Sequence, residues 1–105
     1  MGLFDFLLHR PDFEEGLERW RAVPGAVLLD VRTPEEYRAG HVPGAVNLPL
    51  DRLHERELPT DRPVFAYCLS GARSARACAW LKRQGHEAVN LGGIGSYRGP
   101  LETKG

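Results

Sequence analysis

The chain has 105 residues, of which 42% are hydrophobic and 27% charged, a balance that fits one globular domain and excludes a disordered chain. Fourteen Lys and Arg offset fourteen Asp and Glu, and this zero formal net charge excludes a dedicated nucleic-acid binder, which carries a clear basic excess. The placement is uneven: residues 1–61 hold seven basic and twelve acidic side chains, whereas residues 62–86 hold five basic and no acidic ones, so this second stretch is where an anion can sit.

In chain order, MGLFDFLLHR lacks the early positive charge of a signal peptide and has Asp5 inside its short apolar run. Leu3, Phe4, Phe6 and Leu7 read either as packing back on the domain or as a contact surface. Residues 12–23 predict an amphipathic helix, with Phe13, Leu17 and Trp20 spaced i, i+4, i+7. Ala26 to Val31 is a β-prone run entered through Pro24-Gly25 and reads as a buried strand. Thr33-Pro34-Glu35-Glu36 then opens a short helix: Thr33 caps it, Pro34 suits its first turn, Glu36 completes a capping box, and Gly40 ends it.

Val46 to Leu48 predicts a second strand closed by Pro49, and residues 51–58 have weak helical character. Val64 to Cys68 is the clearest strand. Ser74 to Gln84 is helical, with Ala77, Cys78 and Leu81 on one face and Gly85 as the stop. Ala88 to Leu91 is the last strand. Short apolar strands alternating with helices mean an α/β fold around a mainly parallel sheet, in which functional residues lie beyond the carboxyl ends of the strands.

Two cysteines are too few for a disulfide framework, and their separation does not suit zinc. His9, His41, His54 and His86 are scattered, so neither a metal nor a cofactor is expected. No apolar run is long enough to span a membrane, and the default expectation is a cytoplasmic protein with free thiols and no membrane or nucleic-acid partner.

One strand end carries chemistry. Cys68-Leu69-Ser70-Gly71-Ala72-Arg73-Ser74 runs from the strand VFAYC directly into a helix, so the thiol faces the unpaired N–H groups of a helix N-terminus. Gly71 lets the loop curl so that successive N–H groups converge as an anion nest. A partly buried helix N-terminus contributes up to ~2 kcal/mol and each charge-assisted hydrogen bond about 1.5–3 kcal/mol, enough to favour a thiolate without a histidine base. Cys78, mid-helix beside Ala77 and Leu81, reads as a core thiol.

These residues resemble the rhodanese (sulfurtransferase) family over roughly residues 12–100. The resemblance rests on LLDVRTPEEYRAGHVPGAVNLPL (28–50), CLSGARS (68–74) and VNLGGIGSYRGP (89–100). It implies a single-domain α/β fold over residues 12–105, an open parallel β-sheet of about five strands flanked by helices on both faces, with residues 1–11 as an N-terminal extension. By the same resemblance Cys68 is the catalytic nucleophile that carries a sulfane sulfur as a persulfide. Leu69, Ser70, Gly71, Ala72 and Arg73 form the substrate-binding loop, with Ser74 starting the helix behind it. The six-residue loop matches sulfur transfer; related phosphatases and arsenate reductases have one residue more.

The implied reaction is ping-pong: the Cys68 thiolate takes sulfur from thiosulfate or a similar anionic donor, releases sulfite, and passes the sulfur to cyanide or a thiol. Arg73 would attract the donor, while Arg76 reads first as part of a solvated helix face. Asp30 with Arg32, His41 and Asn47 read as structural, and Glu36 mainly as a cap. Two positions depart from the family: Tyr97 stands where Trp is frequent, and Leu69 follows the cysteine where many thiosulfate users carry a polar or basic residue. The competing reading is a persulfide carrier that docks on a sulfur-accepting protein and is only weakly active on small molecules. GGIGSYRG (92–99) lacks the spacing of a dinucleotide loop.

Overall fold

The computed structural model describes residues 12–103. The extension expected at 1–11, with Leu3, Phe4, Phe6 and Leu7, lies outside the described residues. The chain runs α1 (Phe13–Ala22), β1 (Val27–Asp30), α2 (Pro34–Ala39), β2 (Val46–Asn47), a 3-10 turn (Leu50–Glu55), β3 (Val64–Cys68), α3 (Ala72–Arg83), β4 (Ala88–Gly93) and a second 3-10 turn (Ile94–Ser96). All strand pairings are parallel, in the order β2-β1-β3-β4. The sheet therefore has four strands among the described residues, rather than about five. One further pairing, an antiparallel bridge between His41 and Glu102, stands outside it.

Strand order places the chemistry. From β1 the chain moves outward to β2, then returns past β1 to β3 before continuing to β4. The direction of winding reverses between β1 and β3, and at such a reversal the connections leave on opposite sides and open a crevice beyond the carboxyl ends. Cys68 closes β3 at that crevice.

Both faces of the sheet are covered because β3 alternates. Val64, Ala66 and Cys68 join Leu29, Ala77, Cys78 and Leu81 under α3 and the first 3-10 turn. Phe65 and Tyr67 point the other way, into a cluster with Phe13, Leu17, Leu28 and Leu91 under α1. All five β3 residues are buried, as a strand sandwiched between helical layers requires. Helix α1 is started by the Asp12–Glu15 capping box. It lies close on β4 at Gly16, where a Cβ would meet the Leu91 side chain. Helix α2 carries the expected Thr33–Glu36 capping box and ends at Gly40.

Polar pairs hold the strand ends. Asp30 and Arg32, both buried, form a two-pronged ion pair, with Arg32 Nη2 2.6 Å from Asp30 Oδ2 and Arg32 Nε 3.0 Å from Oδ1. The same Nη2 donates to the Gly40 carbonyl at 2.7 Å, tying β1 to the end of α2. Asn47 Nδ2 donates to the carbonyls of Asp30 and Arg32, each at 3.0 Å, and so fixes β2 against the end of β1. His41 Nδ1 lies 2.7 Å from the Tyr37 carbonyl while its ring stacks on Tyr37 at 3.6 Å, a turn-fixing role. The motif residues 30–47 outside α2 thus act mainly as a frame.

Removing one member of a buried ion pair leaves the other charge without compensation, at a cost of about 3–5 kcal/mol. Asp30→Ala is expected to lower the urea-unfolding free energy by that amount. Arg38→Ala, which loses only an exposed contact to Glu35 at 3.6 Å, should change it by less than about 0.5 kcal/mol.

Candidate active site

Gly71 decides the shape of the loop. It has φ 99°, in the left-handed region, and serves as the N-cap of α3. That reversal brings the helix start forward to Ala72, two residues before the expected Ser74, so Ser74 stands inside the first turn. The N–H groups of that turn point back at the end of β3, where the Cys68 sulfur lies. The Gly71 N–H donates to Cys68 Sγ at 3.0 Å and the Ser74 N–H at 3.4 Å. Cys68 is 1% exposed, so these donors act away from bulk water.

The Ser74 hydroxyl also lies 3.4 Å from Sγ, but it has one proton and three acceptors in reach. Its shortest contact is Asn90 Oδ1 at 2.6 Å, with the Gly71 carbonyl at 3.2 Å. The backbone N–H groups are therefore the permanent donors to the sulfur, and the hydroxyl is a shared one. Burial pushes the Cys68 thiol up, but the Ser74 hydroxyl and the N–H groups of Ser74, Gly71 and Ser70 outweigh it and hold the thiol below the ordinary cysteine value. Cys78 has no such donors: burial alone drives it up to about 11, consistent with a core thiol.

Asn90, not singled out from the sequence, braces the loop from the neighbouring strand. Its Oδ1 accepts from the Ser74 hydroxyl and, at 2.9 Å, from the Gly92 N–H, while its Nδ2 donates to the Gly71 carbonyl at 3.2 Å. The signal was available, since Asn is disfavoured inside a strand and needs a reason to be there. The end of β4 packs against the loop so closely that a Cβ on Gly93 would collide with the Leu69 carbonyl oxygen. The two glycines that end β4 are therefore part of the loop's support.

The remaining loop residues form a rim. Leu69 is 57% exposed, an unusual position for a leucine beside a buried thiol. Ser70 and Ala72 are exposed and Arg73 is half-buried. Arg73 makes a bidentate pair with Glu36, at 2.7 Å from Nη1 and 3.0 Å from Nη2. Glu36 caps α2 and anchors the loop at the same time: Oε1 also accepts from the Thr33 N–H at 2.9 Å. Sequence reasoning recognised the cap but not the pair, which joins residues 37 positions apart. Hydrogen bonding from Arg73 pulls the Glu36 carboxyl down to about 2. The guanidinium keeps its charge and has N–H groups left over to face an anion.

A chain of this kind has known relatives. The family of the Rhodanese-like domain matches residues 11–99. A protein named Sulfurtransferase from Allochromatium vinosum is 42% identical over 92 residues, covering 84% of this chain and 86% of that one. The uncharacterized protein YqhL of Bacillus subtilis is 43% identical over 83 residues, covering 75% of this chain and 66% of YqhL. Among solved structures, a rhodanese-like domain protein from Staphylococcus aureus superposes with a TM-score of 0.79 at 28% identity, covering 90% of this chain and 96% of that one.

Two outcomes test the site geometry. The rate of Cys68 alkylation by iodoacetamide, followed against pH in a Cys78→Ser background, should show an inflection below that of free cysteine (~8.5). Ser74→Ala should raise that inflection, and an unchanged value would remove the Ser74 hydroxyl from the donor set. Glu36, whose pKa is depressed from the ordinary 4.5 to about 2, adds stability that is present above pH 4.5 and lost as pH falls through 2. The difference in unfolding free energy between wild type and Glu36→Gln, under about 1 kcal/mol for a half-buried, solvent-screened pair, should shrink over that window.

Proposed function

The chain belongs to the rhodanese-like domain family, and from that membership we propose that it is a sulfurtransferase that carries a sulfane sulfur on Cys68 as a persulfide, loaded from thiosulfate or a similar anionic donor. The family and its similarity to a named sulfurtransferase support sulfur transfer in general. The observation that carries the finer reading is the buried Cys68 Sγ with backbone N–H donors aimed at it.

The donors favour a thiolate, the form that attacks. The thiolate attacks the outer sulfur of thiosulfate, the S–S bond of the donor breaks, and sulfite leaves with the bonding pair. The product, Cys68–S–S⁻, keeps one negative charge at the mouth of the same N–H cradle, so the loop stabilises both states without rearrangement. Arg73, oriented by Glu36, draws the dianionic donor to the rim. Cyanide or a thiol then attacks the outer sulfur and returns Cys68 as thiolate, which completes a ping-pong cycle. Leu69, Ser70, Gly71, Ala72, Arg73 and Ser74 are assigned to this cradle and rim.

A second reading, a carrier that passes the persulfide to a protein acceptor, draws support from Leu69: an exposed apolar side chain beside the cysteine suits a protein contact better than a small dianion.

Thiosulfate:cyanide turnover separates the two. Wild type and Cys78→Ser should turn over and Cys68→Ser should not. Undetectable wild-type turnover, together with a cyanide-labile extra sulfur on Cys68 after exposure to a persulfide donor, would transfer the assignment to the carrier. Loss of activity in Cys78→Ser with Cys68→Ser active would overturn both.

A further inference from the structure

The basic residues of α3 continue beyond what thiosulfate needs. Arg73, Arg76, Trp80 and Arg83 fall at i, i+3, i+7 and i+10 and so share one helix face. That face lines a cleft of about 680 Å³, whose opposite wall is the first 3-10 turn with His54 and Asp51. Val31 and Thr33, just past the end of β1, and Arg73 of the active-site loop also line it, so one end of the cleft adjoins the loop's rim. Ten residues of helix span about 15 Å, several times the size of thiosulfate, so no single thiosulfate reaches both Arg73 and Arg83.

The charges in this cleft are largely unanswered. Arg73 is held by Glu36, but neither Arg76 nor Arg83 has an acidic partner among the described residues. Asp51 is the one carboxylate in the lining and sits on the exposed turn. Trp80, half-buried against the α3-face core, adds a flat apolar surface between the guanidinium groups. A volume of this size suits a small molecule, and its chemistry suits one with several negative charges and an organic body.

We propose that the cleft walled by Arg76, Trp80 and Arg83 binds the body of a low-molecular-weight thiol acceptor bearing two or more carboxylate or phosphate groups, with its sulfur directed past Arg73 toward Cys68. This rests on the sulfurtransferase reading. The acceptor thiolate attacks the outer sulfur of Cys68–S–S⁻, a new S–S bond forms as the old one breaks, and the bonding pair returns to Cys68 as thiolate. The product is the acceptor's persulfide anion, with no net oxidation or reduction. The first half-reaction uses the loop and Arg73; the second adds the cleft, which selects the acceptor by charge.

The test compares acceptors that differ in charge. With Cys68 loaded from thiosulfate, kcat/KM is measured for 2-mercaptoethanol, for mercaptosuccinate (carboxylates) and for coenzyme A (phosphates). Wild type should prefer one or both anionic thiols over 2-mercaptoethanol. Arg76→Ala/Arg83→Ala should reduce that preference about tenfold, as should raised salt. Arg19→Ala, on α1, should retain it. Preference for mercaptosuccinate alone identifies carboxylates as the ligand groups, and for coenzyme A alone, phosphates. Equal use of all three thiols by wild type, or a preference that survives the double substitution, overturns the proposal. If thiosulfate fails to load Cys68, the thiosulfate reading fails by itself. Calorimetric titration of the unloaded protein with coenzyme A and with mercaptosuccinate then decides the cleft: binding weakened about tenfold in the double variant supports it, and no binding to wild type overturns it.

Discussion

Everything at the candidate site depends on the turn at Gly71. With φ at 99°, that residue reverses the chain within the length of the loop and starts α3 at once. The N–H groups of the Gly71 cap and of Ser74 in the first turn, which have no partner inside a helix, then find one in the Cys68 sulfur. A side chain at this position would be strained by the backbone angle and would press on Gly92 at 3.2 Å. The same turn thus partners the helix terminus and lowers the thiol's pKa.

A loop built from backbone donors is also supported from outside its own short length. Support comes from two sides. Asn90 and the Gly92-Gly93 end of β4 hold it from that strand, through hydrogen bonds to Ser74 and Gly71 and through close packing on Leu69. Glu36 holds it from α2 by gripping Arg73. Behind these stands the buried Asp30–Arg32 pair, which fixes the end of β1 and the end of α2 in one position. Glu36 can reach Arg73 because α2 is anchored in this way. The motif between Asp30 and Asn47 therefore serves the site at one remove, by holding the element that orients Arg73.

Much of this could be read along the chain. The continuous apolar run Val64 to Cys68, the Thr33–Glu36 capping box and the stop at Gly85 are local signals, and each stands where expected. Cys68 could be distinguished from Cys78 because one ends a strand before a glycine-bearing loop and the other sits on an apolar helix stripe. The start of α3 was misplaced by two residues, since serine is a common cap and Ala72 carries no such signal; the left-handed angle at Gly71 makes the cap instead. Asn90 was missed because its partners lie 16 and 19 positions away.

What the sequence determined by itself were the features that depend on near neighbours: element types, the caps, the acid-free stretch and the thiol most exposed to a helix N-terminus. Tertiary structure alone decided which distant charges meet. Arg73 is paired with a carboxylate on α2, whereas Arg76 and Arg83 line the cleft with no ion-pair partner among the described residues. Spacing along a helix puts all three on one face, but their partners depend on where other elements dock. Electrostatic pairing acts across space over a few ångströms, and only the folded chain sets those distances.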